Sequence, residues 1–250
     1  MTAGAARPEP PEPATDAEAL ELLRRGDLEV LGLLPRASNF TFLARVRSGS
    51  EQTLAVYKPR AGEAPLWDFP DGSLAEREVA AYVVSEALGW PHVPPTTIRD
   101  GPHGAGSVQR FVPFDPDEHY LTMRERRPEE FRRIALFDVV VNNADRKSGH
   151  CLLGAGGVFV VDHGVCFHEE PKLRTVIWDF MGESIPEPLV RDLRSLAPRV
   201  APAEGDLRER LLKLLSPPEV TAVSDRLTAL LDSGRFPEPG PGRPVPWPVV

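Results

Sequence analysis

One short stretch in the second half of the chain constrains its fold most, because polar residues stand at both ends of a predicted β-hairpin. Residues 151–153 and 158–161 are apolar runs joined by a glycine-rich turn, a pattern typical of two short paired strands. Asp145 and His150 precede the first run, and Asp162 follows the second. Neighbouring strands lie about 5 Å apart, so we expect these three side chains to converge.

The chemistry of this cluster favours a metal–nucleotide site. In phosphoryl transfer one carboxylate accepts the proton of the attacking hydroxyl, and another holds the Mg²⁺ that bridges the phosphates. Asp145 fits the first role and Asp162 the second, with Arg146 and Lys147 beside them as further candidate catalytic residues. Either aspartate alone would more readily be a turn-capping residue. Their combination favours a catalytic site.

The order of predicted elements indicates an α+β fold in two lobes. A β-rich first half with one main helix is followed by a helical second half. The main helix is predicted to begin at Ser73 with a capping box to Glu76, and the helical part begins after Pro128. We expect a disordered tail over 1–15, an N-lobe over 16–112, a reduced helical C-lobe over 113–235, and a disordered Pro/Gly-rich tail over 236–250.

Charge and composition exclude several function classes. The 250 residues carry a formal net charge of -8 and have no long basic run, which argues against nucleic-acid binding. No apolar stretch approaches the length of a membrane span, and the N-terminus does not resemble a signal peptide. We therefore expect a cytoplasmic protein without stable membrane insertion, whose two cysteines remain thiols.

Lysine is rare in this chain, which draws attention to the few that are present. Of 29 basic residues only four are Lys, and Lys58 and Lys147 are two of them. An ammonium group is a compact point charge suited to nucleotide phosphates, whereas guanidinium is a planar fork.

Four segments together resemble the phosphatidylinositol 3- and 4-kinase superfamily, most closely the type II phosphatidylinositol 4-kinase-like branch and its small bacterial relatives. They are residues 56–59, residues 77–82, residues 106–112, and the pair of Asp145 and Asp162. The segment 143–146, Asn-Ala-Asp-Arg, is similar to the catalytic loop of that family, and Asp-His-Gly at 162–164 to its metal-binding turn. The resemblance implies ATP, with Mg²⁺ or Mn²⁺, as cofactors.

The resemblance also assigns the nucleotide contacts in the first half. Lys58 would contact the phosphates, and the helix carboxylate of Glu78 would steady it. Ser38 and Asn39 would cover the phosphates, although a plain hairpin turn there is about as plausible.

The adenine-binding hinge would follow. Gln109, Phe111 and Val112 would form it, with backbone groups around Gln109 and Phe111 binding the adenine edge.

One position departs from the family pattern and keeps alternatives open. His150 stands where the family usually places a metal-binding Asn, and imidazole favours softer metals than Mg²⁺, while Mn²⁺ tolerates it better. His150 could bind a metal or a phosphate, or mark a nucleotide-binding module that transfers nothing.

A zinc-dependent hydrolase is a further alternative. Its candidate ligands share the hairpin region: His150, Cys151, His163, Cys166 and His168. Their spacing does not match common zinc patterns. The hydroxyl-bearing acceptor of a kinase remains open among lipid, protein and small molecule, as does transfer of the nucleotide moiety instead of phosphate.

Overall fold

The computed structural model describes residues 12–34, 39–90, 92–201 and 205–250. Most of the expected N-terminal tail and Ser38 lie outside these ranges. The chain forms two compact units, of which the first contains Met1–Gly62 and Pro95–Phe111 and the second contains Glu63–Pro94 and Val112–Val250.

An antiparallel sheet and one helix make up the first unit. Thr15 caps the helix through a reciprocal capping box with Glu18, and Gly26 follows its last residue as the C-cap. The strands lie in the order β1-β2-β3-β5-β4. The bounds are α1 (Asp16–Arg25), β1 (Asp27–Leu33), β2 (Phe42–Ser48), β3 (Glu51–Pro59), β4 (Thr96–Gly101) and β5 (Gly104–Arg110), with a 3₁₀ turn at Arg60–Gly62.

The core of this unit lies between α1 and the sheet. Alternate residues of β3 are buried, in the two-residue period of a strand with one covered face. The packed residues are Leu22, Leu23, Ala44, Val46, Ala55, Tyr57 and Val108. This arrangement fixes β3, and therefore Lys58, in the middle of the sheet.

The glycine-rich segment 100–106 contains the tight turn of the hairpin formed by β4 and β5. Strands β4 and β5 pair as far as Gly101 and Gly104, and only Pro102 and His103 form the turn. A Cβ at Gly106 would lie 2.3 Å from the backbone oxygen of Lys58. Glycine is thus required here by the close approach of β3, not by a phosphate.

Helices dominate the second unit, with one small hairpin among them. These helices bury their apolar faces against one another. The bounds are α2 (Leu74–Leu88), α3 (Tyr120–Met123), α4 (Pro128–Val141), a 3₁₀ turn (Ser148–His150), β6 (Cys151–Gly154), β7 (Gly157–Val160), α5 (Glu187–Val200), α6 (Asp206–Leu212) and α7 (Pro217–Ser233). None of the helices in the described part of the chain is long and apolar enough to cross a bilayer.

Helix α2 belongs to this second unit, whereas the sequence expectation placed it in an N-lobe of residues 16–112. The helix belongs there because its residues are buried against other helices of that unit. Most of α2 is covered, and it packs against α4, α5 and α6. Arg77 also donates to Glu219 of α7 at 2.5 Å, with both side chains largely buried.

The start of α2 differs from the sequence prediction. Ser73 is the N-cap, but its hydroxyl donates to the Pro70 carbonyl and makes no cap bond. The carboxylate of Glu63 instead accepts the N–H groups of Leu74 and Ala75, at 3.2 and 3.1 Å. The cap comes from eleven residues upstream, so a local sequence pattern could not reveal it.

Residues 236–250, expected as a disordered tail, are part of the second unit and bond to its other residues. Phe236 is buried and its N–H donates to the Glu183 carbonyl. The Pro244 carbonyl accepts from Thr175, and the Val249 carbonyl accepts from Ser148 at 2.8 Å. Backbone hydrogen bonds therefore hold this proline-rich segment in place, although it has no helix or strand.

Candidate active site

The candidate site begins where α4 ends. Asn142 has a left-handed backbone with φ of 51°, a conformation that Asn adopts more readily than most residues. Its side-chain amide donates to the carbonyls of His168 and Glu170 and accepts from the N–H of Lys172. Asn142 thus ends the helix and connects the following loop to residues 168–172.

A charged network inside the protein holds that loop. The Arg146 guanidinium bonds to the Asp138 carboxylate, with Nη2 at 2.9 Å from Oδ1, and both side chains are fully buried. The carbonyl of Val161 and the ring of His163 are further partners of Arg146. Asn143 donates to the same carboxylate at 3.0 Å.

This network corrects the sequence interpretation of Arg146. We expected Arg146 among the catalytic residues, but its buried guanidinium is bonded to Asp138 and Val161 and faces no solvent. It is a positioning residue: it joins the loop before β6 to the segment after β7.

Asp145, His150 and Asp162 converge as the sequence predicts. Their ligand atoms all lie within 4.8 Å of one another, so within the described part of the chain these three side chains could together hold a metal ion. Asp145 receives the Lys147 ammonium at 2.9 Å, and its own N–H donates to Asn143 Oδ1 at 2.9 Å. Asp162 has a left-handed backbone, with φ of 64°, which is uncommon outside glycine and often found at functional sites.

The electrostatics of Asp145 suit a proton acceptor. Burial raises the pKa of Asp145, and the neighbouring Asp162 carboxylate adds to that rise, while Lys147 partly offsets it. A carboxylate with a raised pKa is a stronger base, so it accepts a proton more readily.

The donor set fits a divalent cation. Two carboxylates and one imidazole within a few ångströms are ligands that Mn²⁺ accepts, and carboxylates alone suit Mg²⁺. Asp162 is also the most exposed of the three, at 46% of its side chain, so it is accessible to a ligand.

Both ring nitrogens of His150 lie close to polar groups. Its Nδ1 accepts the N–H of Lys147 at 3.4 Å, and its Nε2 lies 3.4 Å from Asp162 Oδ2. A neutral ring in this position carries its proton on Nε2. Metal binding through Nε2 would move that proton and release the Lys147 contact, which is long and therefore weak.

Glu78 lies at the turn that carries Asp162. Its carboxylate Oε2 accepts the N–H of His163 at 3.0 Å, and the side chain is almost fully buried. Helix α2 is thus bonded directly to the residue that follows Asp162. This contact is in addition to the role toward Lys58 that the family resemblance implies.

The nucleotide residues expected in the first unit lie on the sheet. Lys58 is on β3 opposite Ser107. Gln109 is on β5, with its side chain bonded to Thr96 at 2.8 Å. Asn39, beside β2, accepts the Thr41 hydroxyl with its carbonyl.

The expected hinge requires a correction. The N–H of Phe111 donates to the carbonyl of Leu54 at 2.9 Å, so this N–H is committed to the sheet and cannot also donate to an adenine edge without losing that bond. Val112 is buried and belongs to the second unit, whereas Phe111 belongs to the first.

The zinc alternative does not agree with the chemistry of the cysteines. Cys151 and Cys166 are fully buried. Burial raises the pKa of Cys151 to about 12 and that of Cys166 well above its usual value. Zinc binds thiolates, and these thiols remain protonated at neutral pH.

Sequence reasoning missed Asp138. It continues the apolar face of α4 formed by Phe131, Ile134 and Ala135, all of which are buried. A charge on such a face requires a buried partner, and that signal could have drawn attention to it. Its partner Arg146 lies eight residues ahead in the loop.

Solved structures with similar folds include proteins described as kinases. The chain is similar to the Golgi casein kinase with Mn/ADP bound, with TM-score 0.55 and 14% identity over 87% of this chain and 75% of that one. It is also similar to hydra Fam20 with sugar, with TM-score 0.54 and 14% identity over 88% and 89%. A Helicobacter pylori proinflammatory kinase, CtkA, matches with TM-score 0.52 and 10% identity over 85% and 95%. These likenesses confirm the expected α+β, kinase-like fold.

The sequence comparisons give a more specific relationship. Protein Rv2133c of Mycobacterium tuberculosis is 42% identical over 264 residues, covering 91% of this chain and 94% of that protein. The chain belongs to the same family as Rv2133c. No family model matches.

Plant lipid kinases are more distant relatives. Phosphatidylinositol 4-kinase gamma 4 of Oryza sativa is 30% identical over 168 residues, covering 52% of this chain and 30% of that protein. Phosphatidylinositol 4-kinase gamma 8 of Arabidopsis thaliana is 28% identical, with 58% and 36% covered. The chain spans about a third of the length of each of these plant proteins. These matches confirm the predicted resemblance at the level of the superfamily.

Proposed function

We propose that this protein is an ATP-dependent phosphotransferase that moves the γ-phosphate of ATP to a hydroxyl acceptor. The observation that carries the proposal is the convergence of Asp145, His150 and Asp162 within 4.8 Å, in a chain whose fold is kinase-like.

Asp145 is proposed to accept the proton of the attacking hydroxyl. Its raised pKa makes it a better base than an exposed aspartate, and its N–H bond to Asn143 fixes the loop on which it stands. Lys147, 2.9 Å from Asp145, would balance the charge of that carboxylate and could contact the transferred phosphoryl group.

Asp162 and His150 would hold the divalent cation, Mg²⁺ or Mn²⁺. When bound, the cation neutralises charge on the phosphates. The left-handed turn at Asp162 and the bond from His163 to Glu78 keep the Asp162 carboxylate beside Asp145 and His150. Lys58, Asn39, Gln109 and Val112 are proposed nucleotide contacts on the family resemblance, and so is Glu78.

The acceptor is proposed only as a hydroxyl compound. The relatives named as phosphatidylinositol 4-kinases point to a lipid, and the kinases with similar folds include a casein kinase. A second candidate function is a nucleotide-binding module without turnover, which His150 in place of the usual Asn favours.

Melting temperatures test the nucleotide and metal part of the proposal. ATP with Mn²⁺ or Mg²⁺ should raise the melting temperature of the wild-type protein and of Asp145→Asn. It should do so much less for Asp162→Asn. Asp232→Asn, an exposed position on α7, is the matched control and should respond as the wild type does.

The same proteins separate the two candidate functions. Phosphate transfer by the wild type with loss in Asp145→Asn supports the phosphotransferase. Nucleotide binding by both without transfer by either supports the module, and no response to nucleotide or metal in the wild type rejects both.

A further inference from the structure

A cavity lies within the second unit, beside the β6–β7 hairpin. Its volume is about 350 Å³, within the lower range of small-molecule sites. The end of α2, the first turns of α4, the hairpin turn and α5 all contribute to it. The described lining residues are Gly89, Trp90, His92, Glu130, Arg133, Gly156, Val158 and Asp192, and Asp145, His150 and Asp162 are not among them.

His92 is the most informative residue of this cavity. It is 6% exposed, and its Nδ1 lies 2.8 Å from the Val158 carbonyl. Since a carbonyl only accepts, Nδ1 carries the proton. Burial lowers the pKa of His92, so the ring is neutral and its Nε2 is an acceptor. That nitrogen is buried without a hydrogen-bond partner among the residues that the structure describes.

The buried Nε2 of His92 is expected to accept a hydrogen bond from a donor. Leaving such a group unsatisfied costs about 1–3 kcal/mol, and most buried polar groups in proteins are paired. His92 cannot turn away without breaking its bond to Val158. The backbone carbonyl of His92 also accepts from Val160 at 2.8 Å, which fixes the residue against β7.

Some charged residues of the cavity have hydrogen-bond partners within the protein, and others have none or only one. Glu130 accepts from the Val158 N–H and from Arg127, at 2.9 and 2.8 Å. Asp192 accepts the indole N–H of Trp90 at 2.9 Å through one oxygen. The guanidinium of Arg133 has no hydrogen-bond or ion-pair partner among the residues of the described ranges. The Arg133 guanidinium and one oxygen of the Asp192 carboxylate are therefore available to bind a ligand.

We infer that this cavity is a second binding site, for a small zwitterion of the free amino-acid class. The carboxylate of the ligand would pair with Arg133, and its protonated amine would donate to Asp192 and to His92 Nε2. A simple anion would leave His92 without a donor and would face two carboxylates. A simple cation would leave Arg133 without a partner. A molecule with both charges would supply a partner to each of these three groups.

Melting temperature and titration calorimetry on the full chain test this site without any nucleotide. The probes are the standard free amino acids, one at a time, with acetate, inorganic phosphate and ethylamine as single-charge probes. One or more amino acids should raise the melting temperature, and the single-charge probes should not. For the amino acid that binds, Arg133→Gln and Asp192→Asn should each weaken binding about tenfold or more, because each removes one partner of a charged hydrogen bond.

Two variants control for general effects of charge and folding. Arg194→Gln removes an exposed arginine from α5, the helix that carries Asp192, and should leave binding unchanged. Arg133→Lys keeps the positive charge and should retain part of the affinity. Melting curves without ligand establish that each variant is folded.

The possible contrary results are distinct. The inference is overturned if no amino acid shifts the melting temperature of the wild type, or if the shift persists undiminished in both Arg133→Gln and Asp192→Asn. Equal shifts from acetate or phosphate alone would show an anion site and would contradict the zwitterion. None of these outcomes depends on whether the protein transfers phosphate.

Discussion

Arg146 and Asp138 form an ion pair with no solvent exposure, in which Nη2 lies 2.9 Å from Oδ1. The pair joins α4 to the loop that carries Asp145. Burying two charges is costly unless their bonds are well formed, and here Asn143 and Thr175 supply further bonds to the same carboxylate. The position of the loop that carries Asp145 therefore depends on a fully buried ion pair.

Removing Arg146 should destabilise the protein strongly. Arg146→Ala leaves the Asp138 charge buried without its partner, a loss of about 3–5 kcal/mol in the free energy of unfolding. Urea unfolding measures it. Arg194→Ala, an exposed arginine, is the control and should change stability by less than about 0.5 kcal/mol. A similar small change for Arg146→Ala would mean that the pair is not a structural support.

Glu63, which caps α2, should matter more than an acidic residue that merely stands in a first turn. Glu63→Ala removes the acceptor for two N–H groups and should cost about 1 kcal/mol. Glu129→Ala in the first turn of α4, whose side chain is 74% exposed, should cost only a few tenths of that. Equal effects in thermal unfolding would contradict the assigned cap.

The two thiols should be unreactive in the folded protein. Burial raises the pKa of both Cys151 and Cys166, and the thiolate is the reactive form. A colorimetric thiol reagent at mildly alkaline pH should label neither cysteine until denaturant is added, and should then label both. Rapid labelling of the native protein would disprove their assigned burial.

Replacing His150 tests its proposed role at the metal. His150→Asn restores the residue type usual in the resembled family, and the ratio of activity with Mn²⁺ to activity with Mg²⁺ should fall, because imidazole favours softer metals. Initial rates with each metal give the ratio. If both activities change in proportion, His150 acts only through its contact with Asp162 and not as a metal ligand.

Local patterns in the sequence were sufficient for much of the fold and for the centre of the site. The strands around Lys58 follow a two-residue period, and the hairpin between His150 and Asp162 is short enough that its ends must meet. The convergence of Asp145, His150 and Asp162 could therefore be predicted from spacing alone.

Long-range contacts account for the differences. Glu63 accepts the N–H of Leu74, eleven residues further along the chain, and so caps α2. The Arg146 guanidinium bonds to the buried Asp138 carboxylate. The N–H of Phe111 donates to the Leu54 carbonyl. The segment 236–250 is held by backbone bonds to Thr175 and Ser148. In each case a partner distant in sequence overrides the local tendency, and no single-sequence pattern specifies that partner.

The most direct test of the central claim is transfer of labelled γ-phosphate from ATP by the purified wild-type protein and by Asp145→Asn. Autophosphorylation, release of phosphate to water and transfer to added phosphatidylinositol or casein are measured together, with Mn²⁺ and with Mg²⁺. We expect transfer by the wild type and a loss of at least about a hundredfold in Asp145→Asn, with ATP binding retained. Equal transfer by both proteins, or none by the wild type under any of these conditions, would contradict this expectation.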